Sequence, residues 1–159
     1  MINLKELVNK LIILKKTIAS MESCTGGGFV NALTNVPGAS EIIKFSAVTY
    51  SNEFKEKMGV KKEIIIKYSV YSMEVAKEMS KQISEFAQSD YGIGITGKLN
   101  KPDKANMYGD DNMVYISIYD KEKDSYHGMS VEVTKNSREE NKAMIIELIV
   151  SQLMRIINE

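Results

Sequence analysis

Histidine, cysteine and tryptophan are nearly missing from this chain: it holds one histidine, one cysteine and no tryptophan in 159 residues. A lone Cys24 cannot close an internal disulfide or build a cysteine metal cluster, and one His127 cannot supply the ligands of a histidine-rich zinc site. His127 is also the only histidine available to a Ser-His-Asp triad, and it falls in a segment that reads as a hairpin strand with no evident partner. Charge of either sign is not in excess, with 21 Lys+Arg against 21 Asp+Glu. That balance removes the electrostatic footprint expected of a nucleic-acid or membrane-surface binder and favours a small-molecule ligand. Long apolar runs are absent too. Leu11 to Leu14 and Ile64 to Ile66 fall far short of the roughly 20 residues a spanning helix needs, and Glu6 interrupts the N-terminal apolar pattern. These features lead to the expectation of a cytoplasmic protein without membrane or nucleic-acid partners.

What is present is globular: 43% hydrophobic and 26% charged residues over the length of one domain. A single domain over residues 1–159 is expected. Leu4, Leu7, Val8, Leu11 and Leu14 mark an amphipathic helix over 3–16. Thr17 to Met21 reads as a strand, and Phe29, Val30, Leu33 and Val36 keep helical spacing from about Thr25 to Asn35, where Val36-Pro37-Gly38 stops the helix. Ile42 to Tyr50 reads as a second strand, followed by a short helix carrying Lys55, with Asn52 as its cap. Gly59 ends that helix, and Lys61 to Tyr68, ambiguous in its run of isoleucines, is assigned to another. Ser72 opens a helix through Val75, Met79, Ile83 and Phe86 to Ala87. Tyr91 to Thr96 is a strand whose Gly92 and Gly94 imply close approach by another backbone or side chain.

Residues 97–112 have no periodicity and form a long loop. Val114, Ile116 and Ile118 then alternate with Tyr115, Ser117 and Tyr119, as in a half-exposed strand, and an antiparallel partner follows over 126–133. Ser137 caps a final helix striped by Ile145, Leu148, Ile149, Leu153 and Ile156. The expected fold is a three-layer α/β/α domain with a mixed, mainly parallel sheet and a late antiparallel hairpin.

Chemistry concentrates in Glu22-Ser23-Cys24-Thr25-Gly26-Gly27-Gly28, where the first strand meets a helix. The glycines let the backbone adopt positive φ, and first-turn N–H groups lack internal partners, so an anion or oxyanion could settle beside Ser23. In the plainer alternative, Ser23 or Thr25 caps the helix and the glycines only make the turn. If Ser23 is a nucleophile it needs a base other than histidine. Lys55 is the candidate, because it follows Tyr50-Ser51-Asn52 at the end of a strand that can neighbour the Ser23 strand. Cys24 is the nearest competing nucleophile, or a small residue packed at the turn. Asp103, Asp110 and Asp111 could bind a divalent cation, or lie in solvated loop.

The Ser23 block, followed by Thr49-Tyr50-Ser51-Asn52-Glu53-Phe54-Lys55, resembles the CinA C-terminal domain family, which includes nicotinamide mononucleotide deamidase, and the order of elements is similar over nearly the whole chain. The resemblance implies hydrolysis of the carboxamide of a pyridine nucleotide to nicotinate mononucleotide and ammonia, with Ser23 as nucleophile, Lys55 as base and Tyr50 beside them, and without metal or cofactor. It implies substrate contacts from Thr25, Gly26, Gly27, Thr96 and Arg138, the last a phosphate partner. Departures lie elsewhere. Lys98-Leu99-Asn100-Lys101-Pro102-Asp103 replaces Ile-Ala-Gly-Pro and glycines, and Ser69-Val70-Tyr71-Ser72 replaces Gly-Ala-Val-Ser. Asn136-Ser137 replaces Gly-Asp, and Lys142 stands where a second arginine is common. Two alternatives therefore stay open: an amidohydrolase of another substrate, and a nucleotide-binding or regulatory domain without turnover. The sequence leaves the oligomeric state open, a homo-oligomer included.

Overall fold

The computed structural model describes residues 3–100 and 110–159. In chain order the elements are α1 (Leu4–Leu14), β1 (Ile18–Glu22), α2 (Gly28–Thr34), a 3-10 turn (Ala39–Glu41), β2 (Ala47–Val48), α3 (Asn52–Lys57), α4 (Lys62–Tyr68), α5 (Met73–Ala87), β3 (Tyr91–Gly97), β4 (Met113–Asp120), β5 (Ser125–Glu132) and α6 (Arg138–Ile157). The strands form one sheet in the order β2-β1-β3-β4-β5. β1 pairs in parallel with β2 and β3, while β3–β4 and β4–β5 are antiparallel. The sheet is mixed as expected, but parallel pairing does not predominate. β2 contributes only two paired residues, Ala47 and Val48.

Helices cover both faces, giving the expected three layers. On one side α1, α2 and α6 bury Leu7, Leu11, Phe29, Leu33, Ile145, Ile149 and Leu153 against Ile18, Ile93, Ile95, Val114, Ile116 and Ile118. On the other, Val75, Met79 and Ile83 of α5 pack on Ala19 and Met21, with Val60, Ile65 and Val70 beside them. Strands covered on both faces read as continuous buried runs, which is why all five residues of β1 and all seven of β3 are buried. Gly92 and Gly94 are small because α5 lies directly on β3. A Cβ there would come within 2.0 Å of the Ser80 carbonyl oxygen and 2.2 Å of the Ala76 carbonyl oxygen.

Several expectations are corrected by this packing. The second strand shrinks from 42–50 to Ala47–Val48: Ile42 closes a 3-10 turn, and the Ser46 hydroxyl rather than a backbone carbonyl takes the Ser20 N–H of β1 at 2.9 Å. α2 begins at Gly28 rather than Thr25, since residues 23–27 are held as a turn. Ser51, not Asn52, caps α3, its hydroxyl accepting from the Phe54 N–H. β4 is not half exposed. Ser117 is fully buried under α5, where it accepts from Ser80 Oγ at 3.0 Å, and Tyr119 is buried as well. Phe86 and Leu148, placed by spacing on core stripes, are exposed, and Phe86 packs on Phe45 with ring centroids 5.0 Å apart.

The parallel pairing of β1 with β2 and β3 puts the ends of these strands side by side. Ser23 N–H donates to the Ile95 carbonyl at 3.0 Å, and Thr49 N–H donates to the Glu22 carbonyl at 2.8 Å. The segments after β1, β2 and β3 therefore meet at one end of the sheet, where ligands of α/β folds bind.

Candidate active site

Ser23 leaves β1 into a turn held by its own backbone. Gly26 N–H donates to the Ser23 carbonyl and Gly28 N–H to the Thr25 carbonyl, each at 2.9 Å. Gly26 and Gly27 have φ of +60° and +93°, values that glycine adopts at no steric cost. Beside this turn α3 delivers Lys55. Its Nζ lies 3.0 Å from Ser23 Oγ and donates to the Thr49 carbonyl at 2.7 Å. Lys55 is only 2% exposed and Ser23 8% exposed, so the pair sits in a largely dry recess with the amine fixed at two points.

The structure thus brings together the two residues that sequence reasoning paired. It treats the others differently. Tyr50 is 64% exposed, and its hydroxyl accepts from an Arg138 guanidinium nitrogen at 3.2 Å, so tyrosine and arginine form an outer contact rather than a third member of the dyad. Arg138 itself is exposed at the first position of α6. Its positive charge reaches inward nonetheless, for Lys55 and Arg138 both oppose the rise in the Cys24 pKa. Lys142, one turn further along α6, lies over the glycine turn, since a Cβ on Gly26 would be 3.6 Å from its Nζ.

Thr25 and Thr96 both spend their hydroxyl protons within the protein. Thr25 Oγ1 donates to Glu22 Oε1 at 2.7 Å, and Thr96 Oγ1 to the Val70 carbonyl at 2.9 Å. Thr96 thereby anchors the loop Ser69–Ser72. In that loop Ser69 adopts φ +74° and ψ 153°, a glycine-like conformation, at the position where the resembled block has glycine. Burial pushes the Cys24 thiol up to about 12, which leaves it protonated and poorly nucleophilic at neutral pH, so the packing reading of Cys24 fits the structure.

The loop after β3 begins with Lys98, buried, its Nζ 3.3 Å from Asp111 Oδ1 and 5.0 Å over the Tyr71 ring. Among the described residues no cluster of three His, Cys, Asp or Glu side chains could hold a metal ion. Asp103 lies outside the described residues. His127 pairs with Ile118 across β4 and β5, near the far edge of the sheet from β2.

Sequence reasoning missed Glu22 as a functional position. Its carboxylate is fully buried and accepts from Thr25 Oγ1 and Phe29 N–H at Oε1 and from Ser20 Oγ and Val30 N–H at Oε2, all at 2.7–3.0 Å. The N-terminal N–H groups of α2, expected to receive a ligand anion, already hold this one. A signal was available: α2 has a glycine cap and no acid in its first turn, so its donors needed an acceptor from elsewhere.

Comparison with known proteins follows the same outline. The CinA C-terminal domain profile matches residues 3–157. A Clostridium beijerinckii protein named for competence-damage induction is 42% identical over 120 residues, covering 74% of this chain and 29% of its own length. A CinA-like protein of Endomicrobium trichonymphae is 41% identical over 110 residues, covering 69% of this chain and 26% of its own. The chain thus spans under a third of the length of these relatives. Among solved structures, a competence-damaged protein (CinA) superfamily protein of Klebsiella pneumoniae superposes with TM-score 0.89 at 21% identity, over 98% of this chain and 95% of that one. Its Enterobacter cloacae counterpart gives 0.87 at 22% identity, over 99% and 94%. At such identities these structures speak for the fold alone. Among the described residues no helix is long and apolar enough to cross a membrane.

Proposed function

The chain belongs to the CinA C-terminal domain family, and from that premise we propose that it is an amidohydrolase of the Ser/Lys type, acting on the carboxamide of nicotinamide mononucleotide to give nicotinate mononucleotide and ammonia. The observation that carries this reading is the buried Lys55 amine 3.0 Å from Ser23 Oγ. The neutral form of a lysine amine is the form that takes a proton, and this one already lies within hydrogen-bond reach of the hydroxyl it would deprotonate.

In this mechanism Lys55 accepts the Ser23 hydroxyl proton as Oγ attacks the carboxamide carbon. The carbonyl oxygen becomes an oxyanion facing the N–H groups of the Cys24–Gly27 turn, where one well-placed donor is worth about 2.7–4 kcal/mol of transition-state stabilisation. Lys55, now an ammonium, returns the proton to the departing nitrogen, and ammonia leaves. Water then attacks the acyl-serine, its proton passing to Lys55 and on to Ser23 Oγ. Arg138 and Lys142 offer the nucleotide phosphate a cationic rim, with guanidinium suited to a bidentate contact.

The deciding experiment is ammonia release from nicotinamide mononucleotide by the purified protein, with Ser23→Ala alongside. Release that depends on Ser23 supports the reading, and a Ser23→Ala variant that keeps most of the activity overturns it. One observation favours a second reading, a nucleotide-binding domain without turnover: the altered segment after Gly97, in which Lys98 pairs with Asp111. Thermal stabilisation by the nucleotide with no ammonia released would select that reading.

A further inference from the structure

Backbone donors between residues 24 and 30 divide into two groups. Gly26 and Gly28 N–H are spent within the turn, and Phe29 and Val30 N–H, at 3.0 Å each, on the Glu22 carboxylate. Among the described residues the N–H groups of Thr25 and Gly27 donate to no backbone carbonyl, and that of Cys24 bonds only its own thiol. Glu22 draws this line. It is fully buried, its two oxygens receive four donors, and one of these, Thr25 Oγ1, belongs to the turn itself. The carboxylate therefore ties together the end of β1, the turn that follows Ser23 and the first residues of α2, with Ser23 as its immediate neighbour in the chain.

We propose that Glu22 is the positioning residue of the nucleophile turn: a built-in anion that occupies the start of α2 and fixes the Cys24–Gly27 backbone so that its remaining N–H groups face an oxyanion formed at Ser23. This inference rests on the Ser23/Lys55 reading above and adds to it a residue that touches neither substrate nor nucleophile side chain. Two consequences follow. With the start of α2 filled, a substrate phosphate must be held by the rim cations instead. A neutral amide cannot replace the carboxylate, because Phe29 N–H and Val30 N–H bond to different oxygens, so either orientation of a glutamine sets its NH2 group against a fixed backbone donor.

The test is the rate constant for labelling Ser23 with a fluorophosphonate, in which the Oγ–P bond forms, the P–F bond breaks, fluoride leaves and the hydroxyl proton passes to Lys55. Labelling amplitude counts folded sites, while the rate constant reports the quality of each. Glu22→Gln should label to full amplitude with a rate constant about 10²-fold lower, the range for a lost oxyanion donor. Thr25→Val cuts the link from carboxylate to turn and leaves the α2 bonds in place, so it should slow labelling about 10-fold on the same scale. It also carries the test if Glu22→Gln fails to fold. Reduced amplitude with wild-type rate constants would show a merely structural role and overturn the proposal, as would wild-type labelling by both variants. Ammonia release is measured in parallel with Ser23→Ala as control. Wild-type protein that is neither labelled at Ser23 nor active overturns the Ser/Lys reading first and this proposal with it. Ser23-dependent labelling without ammonia release from the mononucleotide discards only that substrate, and the Glu22 comparison is still read.

Discussion

The floor and the rim of the candidate site are built in opposite ways. On the floor, Glu22, Ser23, Thr25 and Lys55 are all buried, and Glu22 alone receives four hydrogen bonds. On the rim, Tyr50 and Arg138 are exposed and meet through one 3.2 Å bond. Buried polar groups need partners in the protein because they have lost those in water, whereas exposed groups keep water and hold their geometry loosely. Under the proposed function this contrast becomes a division of labour, in which the floor fixes the reacting atoms and the rim selects a ligand at little cost to the fold. Departures from the family pattern fall outside the floor, at Lys98, Ser69 and Lys142.

The sharpest break of this comparison comes from the dyad. Ser23→Ala should remove about 10³-fold or more of the turnover, and Lys55→Arg should do the same because a guanidinium stays protonated and cannot serve as base. Residual activity within 10-fold of wild type in steady-state ammonia release would deny the floor its role. Next in size is the reactivity of Cys24. With its pKa moved from 9.0 to about 12, the native thiol should alkylate about 10³-fold more slowly than the unfolded chain at pH 8, as followed by mass spectrometry. The same shift has a stability consequence. Between pH 9 and about 12 the unfolded chain releases this proton while the native chain keeps it, so the contribution is complete below pH 9 and lost as pH rises through that window.

A rim substitution should act differently. Arg138→Ala is expected to raise KM for the mononucleotide about 10- to 100-fold while leaving kcat and the unfolding midpoint nearly unchanged, since a charged hydrogen bond is worth about 1.5–3 kcal/mol. A fall in kcat of similar size would place Arg138 on the floor. The smallest effect concerns Ser69, whose φ of +74° strains any residue but glycine. Ser69→Gly should stabilise the protein by about 1 kcal/mol in urea unfolding, the relieved strain exceeding the added chain entropy. Destabilisation would mean that the hydroxyl, which accepts from Tyr71 N–H at 3.2 Å, matters more than the strain.

Legibility in the sequence followed the range of the forces involved. α1, α5 and α6 were visible because periodicity and caps act over a few residues, and Ser72 and Ser137 do cap α5 and α6. β2 was overread, because β-branched and aromatic residues at 42–50 also suit an irregular segment packed on a sheet edge. Ser23 and Lys55 could be paired in advance, since parallel strands place their ends together and the motif blocks supplied the register. The exposure of Tyr50, which the resemblance sets beside the dyad, and its contact with Arg138 were not legible, because nothing local tells which way a side chain turns after a strand ends.

The sequence by itself determined the three-layer α/β class, the glycine turn after β1 and the scarcity of histidine that turned the proposal from histidine to lysine. Those are properties of composition and of near neighbours along the chain. Only the tertiary structure decided that the start of α2 is closed by Glu22, that Thr25 and Thr96 spend their hydroxyls internally and that Arg138 meets Tyr50 at the rim. Each depends on which donor lies within about 3 Å of which acceptor once the layers have packed, a distance that spacing along the chain does not encode.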